Sequence, residues 1–150
     1  MFRKEIKTWL HLHEIVLTFA VIGVLFLIVV IALDPLSYIK ERRDNIRLEN
    51  LAIISSALKE YKEENNNNYP EGINSIFSST IILSSNATMQ NLCSSLVPKY
   101  LSSFPVDPKE GYYKSCADFN SDYNLIFSGG KISLSAPYSE SGKKVSVDEL

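Results

Sequence analysis

The chain of 150 residues has room for one modest domain and one membrane segment. Its formal net charge of −2 gives no footing for nucleic acid or for an acidic substrate. A mean hydropathy near zero averages two unlike parts: residues 15–33 carry no charge, and the rest reads as a polar chain.

The first predicted element is a membrane helix. Ile15 to Leu33 is apolar except for Thr18, and at 1.5 Å per residue it reaches about 28 Å, enough for a bilayer core of about 30 Å. Arg3, Lys4 and Lys7 before it are opposed by Glu5 and Glu14; Lys40, Arg42 and Arg43 after it are opposed by Asp34, Glu41 and Asp44. The positive-inside comparison is therefore nearly balanced. The two cysteines, Cys93 and Cys116, both follow the span. A disulfide between them would stabilise by roughly 3 kcal/mol and fits an oxidising compartment, with two buried free thiols as the alternative. That places the N-terminus in the cytoplasm and the following domain outside. A cleaved secretory signal is the competing reading, but the apolar run is long and ends in Leu33-Asp34-Pro35 rather than in small residues.

Helical character continues past the span. Residues 36–64 hold neither Gly nor Pro, and Leu51, Ile54, Leu58 and Tyr61 form a stripe, widened by Ile46, Ile53 and Ala57. Pro35 should kink or loosen the helix at the membrane exit, or divide it into an anchor and a separate amphipathic helix. The Asn run and Pro70 end it.

The remaining residues predict a small head. Residues 74–90 read as a Ser- and Asn-rich loop with a short ordered piece, and a short helix is expected around Asn91 to Leu96. Short alternating runs follow Gly111: YYKSC, YNLIF and KISLSA, the last two parted by a hairpin signal at Gly129-Gly130, with VSV as a further edge strand. The predicted fold class is α+β: a long N-terminal helix, half membrane and half amphipathic, packed on an antiparallel sheet of three or four strands.

Few residues carry chemistry. Glu14 sits where the membrane helix begins; an acid in hydrocarbon costs on the order of 2.5–3.5 kcal/mol, less at an interface and near a helix N-terminus. His11 and His13 are two residues apart and cannot share a helix face as a metal pair. Asp118, Asn120 and Asp122 open a calcium-loop pattern that lacks its Gly and distal Glu, so a polar turn between strands is the plainer reading. Asn86-Ala87-Thr88 matches a glycosylation sequon. With both histidines ahead of the span, no Ser-His-acid or Cys-His set serves the head, and no enzyme is expected.

The ordered series of segments resembles type IV pilins and type II secretion pseudopilins over nearly the whole chain. Glu14 precedes an apolar run with Gly23 nine residues later, and the run from Ala32 to Pro70 and LVPKYLSSFPVDP resemble the family's later segments. The resemblance implies a pilin-like fold with residues 1–9 as a cytoplasmic leader-like segment, 10–36 as the transmembrane and assembly helix, 37–65 as the amphipathic helix, and 66–150 as the extracytoplasmic head. It implies a homo-oligomeric filament, with Glu14 pairing a neighbour's N-terminal amine and Ala20 and Gly23 offering close helix approach. It also implies a bacterial inner-membrane location, a prepilin peptidase, N-terminal methylation, a platform protein and an assembly ATPase. Calcium at Asp118, Asn120 and Asp122 would follow some pseudopilins; no other cofactor is expected. The leader would be cut between Trp9 and Leu10, but the family has Gly where this chain has Trp9. That departure keeps open a second reading: a permanently anchored extracytoplasmic binding domain.

Overall fold

The computed structural model describes residues 2–71, 73 and 80–148, with side chains from residue 13 onward. It comprises two units, residues 1–39 and 40–150. The chain is α+β, with long N-terminal helices and one small antiparallel sheet.

Helix α1, Phe2–Leu33, holds the whole apolar run. Asp34 ends it with φ +34°, a left-handed backbone that an L-residue adopts only at a break. Asp34 then starts helix α2, Pro35–Glu64: its carboxylate accepts from the Ser37 amide at 3.3 Å, and the Ser37 hydroxyl donates to its carbonyl at 2.9 Å. Asp at the cap and Pro at the first helical position is a favourable start, because proline lacks an N–H that would be unpaired there anyway. Pro35 therefore opens a second helix rather than kinking one continuous helix.

The asparagine run closes α2 as the sequence predicts. Asn66 and Asn67 have φ of +54° and +66°, and the Asn67 amide donates to the Lys62 carbonyl at 2.9 Å. This is the left-handed helix end that Gly usually supplies and Asn tolerates.

Six residues of α2 are buried: Asp44, Arg47, Leu51, Ile54, Ala57 and Leu58. The predicted stripe is thus real at Leu51, Ile54 and Leu58, and Tyr61 packs at its edge. Ile53 does not belong to it; it is 41% exposed. The stripe instead extends backward, in the same three-four spacing, through Arg47 and Asp44.

The sheet has five strands among the described residues, not three or four: β1 Thr80–Ser84, β2 Tyr112–Ser115, β3 Asp118–Ser128, β4 Lys131–Ala136 and β5 Val145–Asp148. The order is β1-β3-β4-β5, all antiparallel, with β2 also on β3. Asn120 is matched by Ser84 of β1 and Tyr112 of β2, while Asn124 is matched by Ile82 of β1 and Ser135 of β4. So β2 and β4 occupy successive lengths of one edge of β3, and β1 takes the other. Gly129 and Gly130, both with positive φ, make the two-residue turn between β3 and β4.

β1 lies in the segment read as loop, and residues 74–79 of that segment fall outside the described set. Helix α3, Ala87–Leu96, starts four residues earlier than the sequence suggests because Asn86 caps it, accepting from the Met89 amide at 3.0 Å. One core joins the layers: Leu51, Ile54 and Leu58 of α2; Met89, Leu92 and Leu96 of α3; and Phe119, Tyr123, Leu125, Ile132 and Leu134 of the sheet. The Cys93–Cys116 disulfide ties α3 to the β2–β3 turn, spanning 23 residues of sequence.

Candidate functional site

The residues that the sequence nominates for assembly lie on α1. Ala20 and Gly23, three apart, share a helix face; Glu14, nine residues from Gly23, points to the opposite side. A methyl group at Gly23 would meet nothing within 4 Å, so nothing among the described residues calls for glycine there. Every described large apolar side chain from Ile15 to Leu33 is exposed, from 40% at Val30 to 76% at Ile31. α1 is long and apolar enough to cross a membrane by length and composition, and its described side chains are exposed. Trp9 and Leu10 lie within the backbone of α1, but their side chains fall outside the described residues.

The calcium candidates Asp118, Asn120 and Asp122 fall on one face of a strand. DFNSD is not a turn but the first half of β3, where Phe119, Ser121 and Tyr123 point inward and Asp118, Asn120 and Asp122 alternate on the other face. The Asp118 carboxylate takes a hydrogen bond from Lys114 at 2.8 Å, which lowers its pKa, and the Asn120 amide donates to Asp122 at 2.8 Å. Among the described residues no group of three or more His, Cys, Asp or Glu side chains is placed to hold a metal.

The most organised polar constellation is one that the sequence reading missed. Arg47, fully buried, donates from Nε to Asp107 at 2.6 Å and from Nη1 to Asp44 at 2.7 Å and to Glu140 at 3.3 Å. Arg43 reaches Glu140 from the next turn, at 2.5 and 3.0 Å. Asp44 in turn gathers the loop after β4: the Ser139 hydroxyl at 3.0 Å, the Glu140 amide at 3.1 Å and the Ser141 amide at 2.8 Å.

Asp107 is presented by a tight turn. Its carboxylate accepts from the Lys109 and Glu110 amides at 2.9 and 3.1 Å, and Gly111 donates back to its carbonyl at 3.1 Å. A Cβ on Gly111 would lie 2.5 Å from the Asp107 nitrogen, so only glycine closes this turn.

Burial pushes the Asp44 and Asp107 carboxyls up, but the opposing hydrogen bonds prevail. Ser141, Arg47 and the Glu140 amide hold Asp44 well below the usual carboxylate range, and Arg47 with the Lys109 and Glu110 amides lowers Asp107. Glu140 is lowered first by Arg43, and Arg47 is held charged by Asp107 and Asp44 despite its burial. Below the cluster, burial raises the Tyr123 phenol to about 12, with Asn50 donating to it at 2.9 Å. Buried charges survive only when paired and hydrogen-bonded, and here each has several partners. The arrangement fastens the β4–β5 loop and the Asp107 turn to α2.

A cleft of about 400 Å³ opens beside the cluster, lined by Arg47, Lys109, Glu110, Asn120, Asp122 and Glu140 among others. Lys109 spans it, 3.4 Å from Glu110 and 3.9 Å from Glu140.

The signal for this cluster was present in the spacing. Asp44 and Arg47 continue the interval of Leu51, Ile54 and Leu58, but two charged residues read as a solvated face. The chain matches no family model, no curated protein and no solved structure.

Proposed function

We propose that the chain is a type IV pilin-like or pseudopilin-like structural subunit, held in a membrane by α1 until it assembles with copies of itself. The observation that carries this is the exposed apolar surface of residues 15–33 on α1. Apolar surface of that extent is stable only in lipid or against other apolar helices.

Several features support the choice of copies over lipid alone. Ala20 and Gly23 lie on one face of α1, where small residues allow backbones to approach. Glu14 marks the N-terminal edge of the apolar run, where pairing with a neighbour's amine would fix axial register. The head is a compact α+β unit closed by a disulfide, in keeping with an extracytoplasmic position and a cytoplasmic N-terminus. A leader peptidase, a platform protein and an assembly ATPase would be the partners of such a subunit in a bacterial inner membrane.

One observation favours a second reading, that of a permanently anchored binding domain: Trp9 stands where a leader peptidase of this family would need glycine. Intact mass of the protein purified from its native membrane separates the two. Loss of residues 1–9 with one added methyl group is the expected result for a processed subunit. A full-length mass would favour the anchored domain.

A further inference from the structure

We propose that the start of the head, residues 40–42 of α2 together with the β4–β5 loop, is a cationic collar that binds the phosphates of anionic phospholipid headgroups. The inference rests on the reading of α1 as a membrane span.

The collar emerges where the β4–β5 loop adds Lys143 and Lys144 to the basic residues at the start of α2, while its one acid, Glu140, is taken up by Arg43 and Arg47. By sequence, residues 34–44 are balanced, with Lys40, Arg42 and Arg43 against Asp34, Glu41 and Asp44. In the folded head Arg43 and Asp44 are both engaged, so that stretch stays balanced and the excess comes from the loop. Asp44 is buried and committed to Arg47 and the loop amides, and Glu140 is committed to Arg43 and Arg47. Lys40, Arg42, Lys143 and Lys144 remain exposed. Against them stand Asp34, which caps α2, and exposed Glu41, 3.7 Å from Lys143.

The loop that carries Lys143 and Lys144 is not free to place them elsewhere. Three of its groups, the Ser139 hydroxyl and the Glu140 and Ser141 amides, converge on Asp44, one turn from Lys40. Lys143 is thereby held beside the first turn of the head's share of α2, 3.7 Å from Glu41.

Chain length limits how far the collar can lie from the lipid. Lys40 is seven positions after Leu33, the last of the apolar run, so at the helical rise it is held within about 10 Å of that residue whatever angle the two units make. Headgroup layers extend roughly 5–8 Å beyond each face of the hydrocarbon core, and Lys and Arg side chains bend back toward such an interface. Tyr38, 69% exposed, and Tyr138, 52% exposed, add the amphipathic rings that concentrate at membrane–water interfaces. A basic residue near an anionic surface contributes about 1 kcal/mol, or roughly fivefold in occupancy, and the effect is screened by salt.

The test uses the full chain in nanodiscs of phosphatidylcholine alone or with phosphatidylglycerol, read by amide hydrogen exchange of the segment 137–144. The proposal expects that segment to exchange at least about fivefold more slowly with phosphatidylglycerol. High salt and the variant Lys40→Gln/Arg42→Gln/Lys143→Gln/Lys144→Gln should each remove the difference, while β3 stays as protected as in wild type. Equal exchange of 137–144 in the two lipids, in chains that co-float with the discs, overturns the collar and leaves the membrane reading intact. Chains that do not co-float overturn both. Inorganic phosphate added to phosphatidylcholine discs should change nothing; if it alone slows the loop, the site is one for free phosphate and the lipid assignment falls.

Discussion

Replacing Arg47 with Met tests whether the buried cluster holds the head together. The guanidinium is 0% exposed and sits within 2.6 to 3.3 Å of three carboxylates, Asp107, Asp44 and Glu140. Removing one partner of a buried ion pair costs about 3–5 kcal/mol, because the remaining charge is left without compensation. Here Asp44 would keep its donors from Ser139, Glu140 and Ser141, and Asp107 would keep the Lys109 and Glu110 amides. The expected loss is therefore at the low end, about 3 kcal/mol, or about 12 °C in melting temperature for a head of this size. Thermal unfolding of the full chain in detergent, followed by circular dichroism, measures it. The further change Asp107→Asn in the Arg47→Met background should recover part of the loss, since it removes the orphaned charge. A loss below about 1 kcal/mol would refute the reasoning, as that is the worth of an exposed pair.

Acid should act on the same cluster. The folded pKa values of Asp44, Asp107 and Glu140 are lowered, so their contribution is complete above the unfolded carboxylate values near 4 and is lost as pH falls through the folded ones. Melting temperature should fall on acidification below about pH 4, and less steeply in the Arg47→Met variant, where the lowering by Arg47 is gone. Reducing the Cys93–Cys116 bond releases a closed loop of 23 residues separation and should cost about 3 kcal/mol, read as a lower urea midpoint with reductant. An unchanged midpoint would show that the bridge merely decorates a core already sufficient. Asn86→Ala removes the cap of α3 and should cost about 1 kcal/mol in the same assay.

How far the sequence discloses this molecule depends on which signal each element sends. The apolar run, the amphipathic stripe, the asparagine stop and the Gly129-Gly130 hairpin speak through periodicity and backbone permissiveness, which are local. β1 is hidden because its TIILS lies between serines and makes sense only when paired with β3. The polar half of β3 hides for a related reason: Asp118, Asn120 and Asp122 look like a loop unless the inward Phe119, Ser121 and Tyr123 are read as the other half of a period of two. Asn86 reads as part of a sequon, while its capping role depends on the helix that follows. The Arg47 cluster was the least legible. Its partners lie 60 and 93 residues away, and nothing in a single sequence pairs an arginine with an acid at such distance. Only the spacing of Asp44 and Arg47 with the core stripe hinted that both face inward.

Packing of α1 against copies of itself, as proposed, is open to direct crosslinking. Double-cysteine variants, with Ala20→Cys kept and a second cysteine moved through residues 24–31, can be oxidised in native membranes and resolved by size without reductant. A subunit built to assemble gives a ladder of dimers, trimers and larger species at particular second positions. Monomer alone at every position, in protein that fractionates with the membrane, would contradict the account.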